Sequence, residues 1–398
     1  MASYAPARFI DLHALHPVPA SLLNRGEDNE PKTMLFGGVM RTMVSSQSWK
    51  RHIRLSLEEE LDEHAVRTRK LPVRVADALR EAGWSPELAA FAGAQVARSA
   101  SKEGFKTEEK QDGITSAILL LADILPEMIA LCEEHRQLLQ EAHTEHLATA
   151  AEQKTKDARK GPVPMPAVLP TRTVASLIRR RTATINMFGR MLAELPDAHI
   201  DGAVQMAHAF TVHESDPQPD YFTAQDDWSA PDEAGSAHLQ TSFFSTGILY
   251  RYATVNLTEL TRNVRGDNAQ ALRLLALFAE AFIDVMPQAK KTSTAPHTLP
   301  HLVHYAVRDR RPVSYAAAFE QPVRHTRGGG HTLPAVAALS QYADSVNRLL
   351  GTRRRIAHGY AALQPEPVDH LGTAHASFDE LTDTLATAAA PSTAQAQA

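Results

Sequence analysis

Ser45-Ser46-Gln47-Ser48-Trp49-Lys50-Arg51-His52-Ile53-Arg54 is the stretch on which the reading of this chain turns. Its leading serines supply oxygens that cap a helix start. Trp49, Ile53, Leu57 and Leu61 then recur at helical spacing, which predicts a helix over 49–65 with that stripe buried. A helix N-terminus presents unpaired N–H groups and the positive end of the dipole, a setting that suits phosphate. Lys50 and Arg54, four residues apart, share a face above it. A plain amphipathic helix with a serine cap and a basic surface fits the same residues, and spacing alone does not separate the two.

On either side of this helix the chain alternates between strand and helix signals. Residues 8–13 (RFIDLH) alternate apolar and polar and predict a strand; a long loop then leads through Phe36-Gly37-Gly38 to a short extended piece at 41–44. Residues 73–150 are rich in Ala and Leu with helical periodicity, broken near Pro86 and Gly104, and 152–173 form a polar, then proline-rich connector. Strand-like runs follow at 184–191 and 203–212. The acidic segment 213–242 reads as an irregular excursion that returns to an alternating strand at 247–257. A helix over 268–285, a strand over 302–308 and a helix over 335–350 complete the pattern, and the Ala- and Thr-rich tail after Pro365 reads as frayed. With the insertions set aside, the order is β-α-β-β-α-β, that of the ferredoxin-like α+β fold shared by RNA-recognition modules.

Composition narrows the class. At about 150 residues per domain, the 398 residues correspond to two or three units, or to one domain carrying large insertions. With 43% hydrophobic and 22% charged residues, the chain is neither fibrous nor mostly disordered. A single cysteine, Cys132, leaves no internal disulfide and no cysteine-ligated zinc, and fits a reducing cytoplasm. The first twenty residues lack the apolar centre of a secretory signal, and the greasiest stretch, 114–132, is interrupted by Asp123, Pro126 and Glu127, so no membrane span is expected.

Forty-one basic against 46 acidic residues give a net charge of −5, but the charges are segregated. Residues 31–57 carry Lys32, Arg41, Lys50, Arg51 and Arg54 without an acid, and 171–191 carry Arg172, Arg179, Arg180, Arg181 and Arg190 without one. Acids gather at 58–63 and again at 214–233, where no Lys or Arg lies between His213 and Ser242. Such separation lets one face bind a polyanion, and lets an acidic face meet a neighbouring copy's basic one.

Catalytic signals are weak. His297, His301 and His304 straddle Pro300 with no nearby acid to complete a metal shell, and His143 and His146 lie on a charged helix. Gly328-Gly329-Gly330 lacks the Lys-Ser/Thr of a phosphate-cradling nucleotide loop. No nucleophile elbow, HExxH or apolar carboxylate pair occurs, so neither a metal nor a cofactor is expected. Tyr221-Phe222, within the acidic segment, suit either stacking on bases or packing onto Trp228. Binding is better supported than chemistry.

Several blocks, in order, carry a resemblance. Ser21-Leu22-Leu23-Asn24-Arg25, Phe36-Gly37-Gly38 and Ser45 through Arg51, then 201–213 (DGAVQMAHAFTVH), Tyr221 through Asp227, 235–239 and 247–253 (GILYRYA), resemble the CasC family, backbone subunits of the type I-E CRISPR surveillance complex Cascade. The likeness runs from about Arg8 to Phe319; the helical block and connector agree only in position and character. It implies a hand-like arrangement: a ferredoxin-like palm (1–70, 174–212 and 247–364), an inserted helical finger domain with connector (71–173), a protruding thumb hairpin (213–246) and a flexible tail (365–398). Copies would line up along one CRISPR RNA, kink it with the thumb and present it to the target DNA strand. The other implied partners are the large, small, guide-end-capping and RNA-endonuclease subunits of Cascade.

Position by position, the resemblance implies guide contacts at Arg25, Lys32, Arg41, Ser45, Ser46, Gln47, Lys50, Arg51 and Arg54, at Met191 against a base, and at Lys290 and Lys291. Tyr221, Phe222 and Leu239 would wedge beside the kink. Val39-Met40 stand where relatives often carry basic residues, and the stretch 324–331 has no counterpart. The implied activity is non-catalytic. A competing reading comes from type III backbone relatives that cut target RNA with a thumb-proximal aspartate, here Asp216 or Asp220; a stand-alone single-strand binder is the third.

Overall fold

The computed structural model of the protein describes residues 8–108, 114–156, 165–192, 194–225, 236–287, 289–351 and 354–390. In chain order the elements are strands β1 (Phe9–Ser21), β2 (Thr33–Phe36) and β3 (Val39–Val44), helix α1 (Ser46–Leu61), strand β4 (Ala65–Thr68), and helices α2 (Leu71–Glu81) and α3 (Pro86–Arg98). Strand β5 (Leu119–Ala122) and helices α4 (Leu125–Glu134), α5 (Arg136–Lys156), α6 (Thr171–Ile178) and α7 (Ala183–Phe188) follow. Next come strands β6 (Val204–Met206), β7 (Ala209–Thr211), β8 (Gln218–Gln225) and β9 (Ser236–Asn256), then helices α8 (Leu257–Asn263), α9 (Asn268–Asp284) and α10 (Lys291–Thr294). The chain closes with β10 (Leu302–Arg308), α11 (Thr332–Leu350), β11 (Arg355–Ala362), β12 (Thr373–Ala374) and α12 (Phe378–Ala389). It divides into two compact units, residues 1–57 with 203–398, and residues 58–202.

The first unit is an α+β layer structure around a ten-stranded, mostly antiparallel sheet of order β12-β11-β10-β1-β9-β7-β3-β2, with β6 and β8 also paired to β9. β1 is its axis, antiparallel to β10 from Phe9↔Arg308 to Leu15↔Leu302 and to β9 from Phe9↔Asn256 onward. Alternation sends Ile10, Leu12 and Ala14 to one face and Asp11, His13 and Leu15 to the other, and all six are buried. Both faces of this strand are therefore covered.

On the first face, Arg251 of β9, opposite Ala14, lies with its guanidinium 4.0 Å from the Trp49 ring centroid of α1 and 4.6 Å from that of Phe282 on α9. It also meets His16 Nδ1 at 3.0 Å and donates to the Phe282 carbonyl. A desolvated cation between two rings contributes about 2 kcal/mol or more for each good contact, which explains a tryptophan at the head of the helical stripe. On the second face, Leu15, Tyr250, Tyr252 and Leu302 pack with Val336, Leu339 and Ala343 of α11. Asp11 sits beneath, accepting from Arg308 Nε at 2.7 Å, Tyr252 Oη at 3.0 Å and the Val313 N–H at 2.9 Å. Burial raises the pKa of this carboxyl while Arg308 pulls it down. His13 and His304 stack on Tyr315 beside this pair.

One arginine closes the far edge of the sheet. β2 and β3 are joined by Gly37 and Gly38, both at positive φ (62° and 80°), as a two-residue hairpin turn demands. A Cβ on Gly37 would lie 1.6 Å from the Glu320 carbonyl oxygen, so only glycine permits the approach. Arg41 of β3 is 0% exposed and donates to four backbone carbonyls: Phe36 (3.2 Å), Thr211 (3.0 Å), Phe319 (3.0 Å) and Glu320 (3.4 Å).

The second unit packs α2 against α3 through Leu71, Val75, Phe91 and Val96 in one apolar core. The antiparallel pair β4–β5 belongs to it. Arg190, in the arginine-rich run, is buried and donates to the carbonyls of Ile178, Arg179, Arg180 and Ala198. Arg190 thus closes the end of α6, while Arg172, Arg179, Arg180 and Arg181 are exposed.

Several expectations change. Residues 184–191 are not a strand: Thr182 Oγ1 accepts from the Ile185 N–H, α7 begins there, and Gly189 at φ 81° ends it. The strand predicted at 8–13 runs on to Ser21, and the loop after it contains β2. The region 203–212 splits into β6 and β7. Within the excursion at 213–242, the described residues 218–225 pair with 236–244 as a ribbon of β8 and β9, from Gln218↔Phe244 to Gln225↔Ser236. The tail is ordered through Ala389: Ser377 caps α12, whose Leu381 and Leu385 are buried, and α12 packs on α9. Residues 174–202, assigned to the palm from sequence, fall in the second unit.

Replacing Arg41 with Ala strips donors from four buried carbonyls and is expected to destabilise the protein by about 3 kcal/mol, read as a lower denaturant midpoint. Burial also lowers the pKa of His16 and of His304 to about 3, so both are neutral in the folded state. Unfolding lets them bind protons below about pH 6.5. Their stabilisation is complete above that pH and declines as pH falls from about 6.5 toward 3, at about 1.4 kcal/mol per pH unit for each. Denaturation midpoints measured from pH 7 to pH 5 should therefore drop.

Candidate nucleic-acid interface

At the head of α1 the serine run does what its spacing predicts. Ser45 Oγ accepts from the Ser48 N–H at 3.3 Å, and its own N–H donates to Asn24 Oδ1 at 2.9 Å. The Ser46 N–H donates to His208 Nδ1 at 2.9 Å. Much of the first turn is thus satisfied internally, and exposed Gln47 is the position from which an amide faces outward. Lys50 is half-buried, its Nζ donating to the Val204 carbonyl at 3.2 Å, and burial lowers its pKa. Arg51 is exposed and Arg54 half-buried on the same helix.

The segment before β2 adds two cations. Exposed Arg25 donates to Asn29 Oδ1 at 3.3 Å, and Arg25 bridges Pro31. Lys32 is half-buried, with its backbone tied to Asn24 and Met43. Arg41 corrects the expectation placed on it: its guanidinium is enclosed and engaged with carbonyls, so it holds the hairpin and offers no donor at the surface. Leu35 and Met40 face each other across the hairpin and are 70% and 39% exposed, an apolar pair that the charge pattern did not reveal.

The ribbon carries the aromatic pair. Tyr221, opposite Thr241, is 62% exposed, and Phe222, opposite Gln240, is 40% exposed. Neighbours along a strand face opposite sides, so the two rings serve both faces of the ribbon. Leu239 pairs with Thr223 in register; its side chain, like Trp228, lies outside the described residues. Lys290 Nζ donates to Ser242 Oγ at the foot of the ribbon, and exposed Lys291 opens α10. The ribbon's root is bound to β3: Ser215 N–H donates to the Met40 carbonyl at 3.1 Å, and its Oγ meets Thr42 Oγ1 at 3.1 Å. Met191 belongs to the second unit and is 77% exposed.

In the first unit, then, Arg25, Lys32, the α1 start and the ribbon root adjoin through Asn24, Met43 and Ser215. Asn24 and His208 are the positioning residues that sequence reasoning passed over, although both lie inside the quoted blocks. Among the described residues no group of three His, Cys, Asp or Glu side chains is placed to hold a metal ion, and no helix is long and apolar enough to cross a membrane.

No curated protein sequence matches the chain. Among solved structures, it is similar to a chain of a "CRISPR RNA-guided surveillance complex, pre-nicking", at 39% identity and a TM-score of 0.84 over 96% of this chain and 100% of that one. A chain of a "CRISPR RNA-guided surveillance complex" superposes with a TM-score of 0.74 at 35% identity, covering 96% and 99%. The profile of the family described as CT1975-like protein matches residues 10–384. With nearly its whole length matched, the chain belongs to the CT1975-like family.

Proposed function

We propose that this protein is the non-catalytic backbone subunit, CasC, of a type I-E CRISPR Cascade complex, several copies of which polymerise along a CRISPR RNA. The observation that carries the reading is the 39% identity over 96% of the chain with a subunit of an RNA-guided surveillance complex. The order β10-β1-β9-β7, antiparallel throughout, with α1 and α9 on one face, supports a ferredoxin-like palm. The β8–β9 ribbon is then the thumb and the second unit the fingers.

In this reading Arg25, Lys32, Gln47, Lys50, Arg51 and Arg54 hold guide phosphates, with Lys290 and Lys291 near the thumb's foot. Serines 45 and 46 act by shaping the helix start. Contacts to phosphates carry no base information, which is what a subunit that serves any spacer requires. Tyr221 and Phe222 wedge beside a kinked nucleotide, Leu239 lies across the ribbon from them, and Met191 meets a base. The guide segments left exposed pair with the target DNA strand, the remaining Cascade subunits cap and extend the filament, and the assembly works in the cytoplasm. The chain acts by binding, without chemistry of its own.

Arg25→Ala with Lys32→Ala should weaken guide binding equally across unrelated spacers. The slope of log K against log salt should become shallower by about 1.4, near 0.7 for each phosphate that is no longer neutralised. Filter binding with several spacers over a salt series measures this, and a weakening that depended on spacer sequence would remove these residues from the phosphate path. Tyr221→Ala with Phe222→Ala should leave Tm within about 1 °C, because exposed side chains away from buried features shift stability by less than about 0.5 kcal/mol. The same pair should disorder the regular spacing of copies on RNA, seen by electron microscopy.

A further inference from the structure

The sheet of the first unit has two ends. β1 finishes at Ser21, opposite Ser245 at the foot of the ribbon, and starts at Phe9, opposite Arg308 and Asn256. Thirteen residues of strand separate those ends by about 40 Å. At the Phe9 end, on the β10–β11 side of the sheet, lies a cavity of about 190 Å3. Arg308 forms its inner wall, fixed by Asp11 and by Tyr315 Oη at 2.9 Å. Arg310 and Arg311 stand exposed at its rim, Arg354 faces them half-buried, and Leu350 adds an apolar side.

Charge around the cavity is one-sided. Asp309 is the carboxylate in its lining, 3.9 Å from Arg354. Four of its seven described lining residues are arginines, and Asp11 pairs with Arg308 behind the wall. The volume is below the roughly 300–1,000 Å3 of small-molecule pockets, which argues against a free metabolite and for one segment of a longer ligand. Guanidinium forks match phosphate oxygens bidentately, and a lining in which arginines outnumber carboxylates favours an extended polyanion over a single acidic side chain.

We propose that this cavity is a second nucleic-acid site, taking a sugar-phosphate of a single strand other than the one held at the thumb end. Leu350 receives the sugar face, and Arg310, Arg311 and Arg354 receive the phosphate. An acidic protein segment is the competing occupant, and it is distinguishable.

The test uses the full-length protein purified with its bound RNA. Arg310→Ala with Arg311→Ala removes two exposed side chains without touching the Asp11–Arg308 pair. Three quantities are measured: RNA retained per protein, affinity for a labelled poly-dT strand across a salt series, and particle size. The expected result is unchanged RNA and particle size, with poly-dT affinity down about tenfold and a salt slope shallower by about 1.4. Unchanged poly-dT affinity overturns the proposal. Smaller particles with intact poly-dT binding also overturn it, and assign the cavity to a protein contact. Loss of the bound RNA overturns it too, by putting this end of the sheet on the guide path; Arg25→Ala with Lys32→Ala, assayed in parallel, tells that outcome from a failure of the guide reading itself.

Discussion

The structure of the first unit depends on one buried cation. Arg251 sits in the middle of β9 with no exposed surface, between the rings of Trp49 and Phe282. The Phe282 carbonyl, His16 and the two π-faces offset part of the cost of enclosing it, Nε makes no hydrogen bond among the described residues, and burial lowers its pKa to about 9. The arrangement ties α1 and α9 to the same strand and fixes the depth at which α1 starts. Through that start it sets Ser45, Asn24 and His208 in one hydrogen-bonded group. The position of the candidate phosphate site is thus decided in the core.

Covering both faces of the sheet has a functional consequence. In RNA-recognition modules the bases stack on an open sheet. Here α11 packs on the second face, over Tyr250 and Tyr252, and beneath it the Asp11–Arg308 pair, His13 and His304 form a dry polar layer. Aromatic residues that would serve as a stacking platform on an open sheet are core residues in this protein. For the nucleic acid of the proposed function that leaves the ends and edges: the α1 start with the β2–β3 segment, the ribbon, and the arginine cavity beyond Arg308.

How much of this was legible in the sequence depends on the range of the interactions. The stripe of Trp49, Ile53 and Leu57 announced α1 because its partners recur within the helix, and Asn268–Asp284 and Leu302–Arg308 were legible for the same reason. Residues 184–191 misled because their β-branched and apolar residues suit a strand, while the Thr182 cap and Gly189 stop favour one short helix. The tail misled because low complexity hid Leu381 and Leu385, which are buried where α12 packs on α9, β10 and β11. Arg41 is the instructive case within the site. A basic residue beside a glycine pair reads as surface charge, yet its four carbonyl partners come from positions as distant as Phe319 and Glu320. No local pattern encodes that. The arginines around 308–311 and 354 read as separate charge runs because only the β10–β11 pairing joins them.

The β8–β9 ribbon, finally, is not an appendage with its own stability. β9 is a 21-residue strand whose inner part carries Tyr250 and Arg251 and whose outer part pairs with β8. Where the two parts meet, a Cβ on Gly247 would lie 2.7 Å from His213 Nε2. That nitrogen accepts from the Ile248 N–H at 3.2 Å, so the imidazole fills the space glycine leaves and locks the turn out of the core. His213 also stacks on His331, at 4.0 Å between centroids, and burial lowers the pKa of both, which favours the uncharged rings that pack face to face. The direction in which Tyr221 and Phe222 project is therefore inherited from a continuous strand and a packed root. A paired ribbon continuous with the sheet can impose its geometry on a strand it contacts, where an unpaired loop of the same sequence would only follow it.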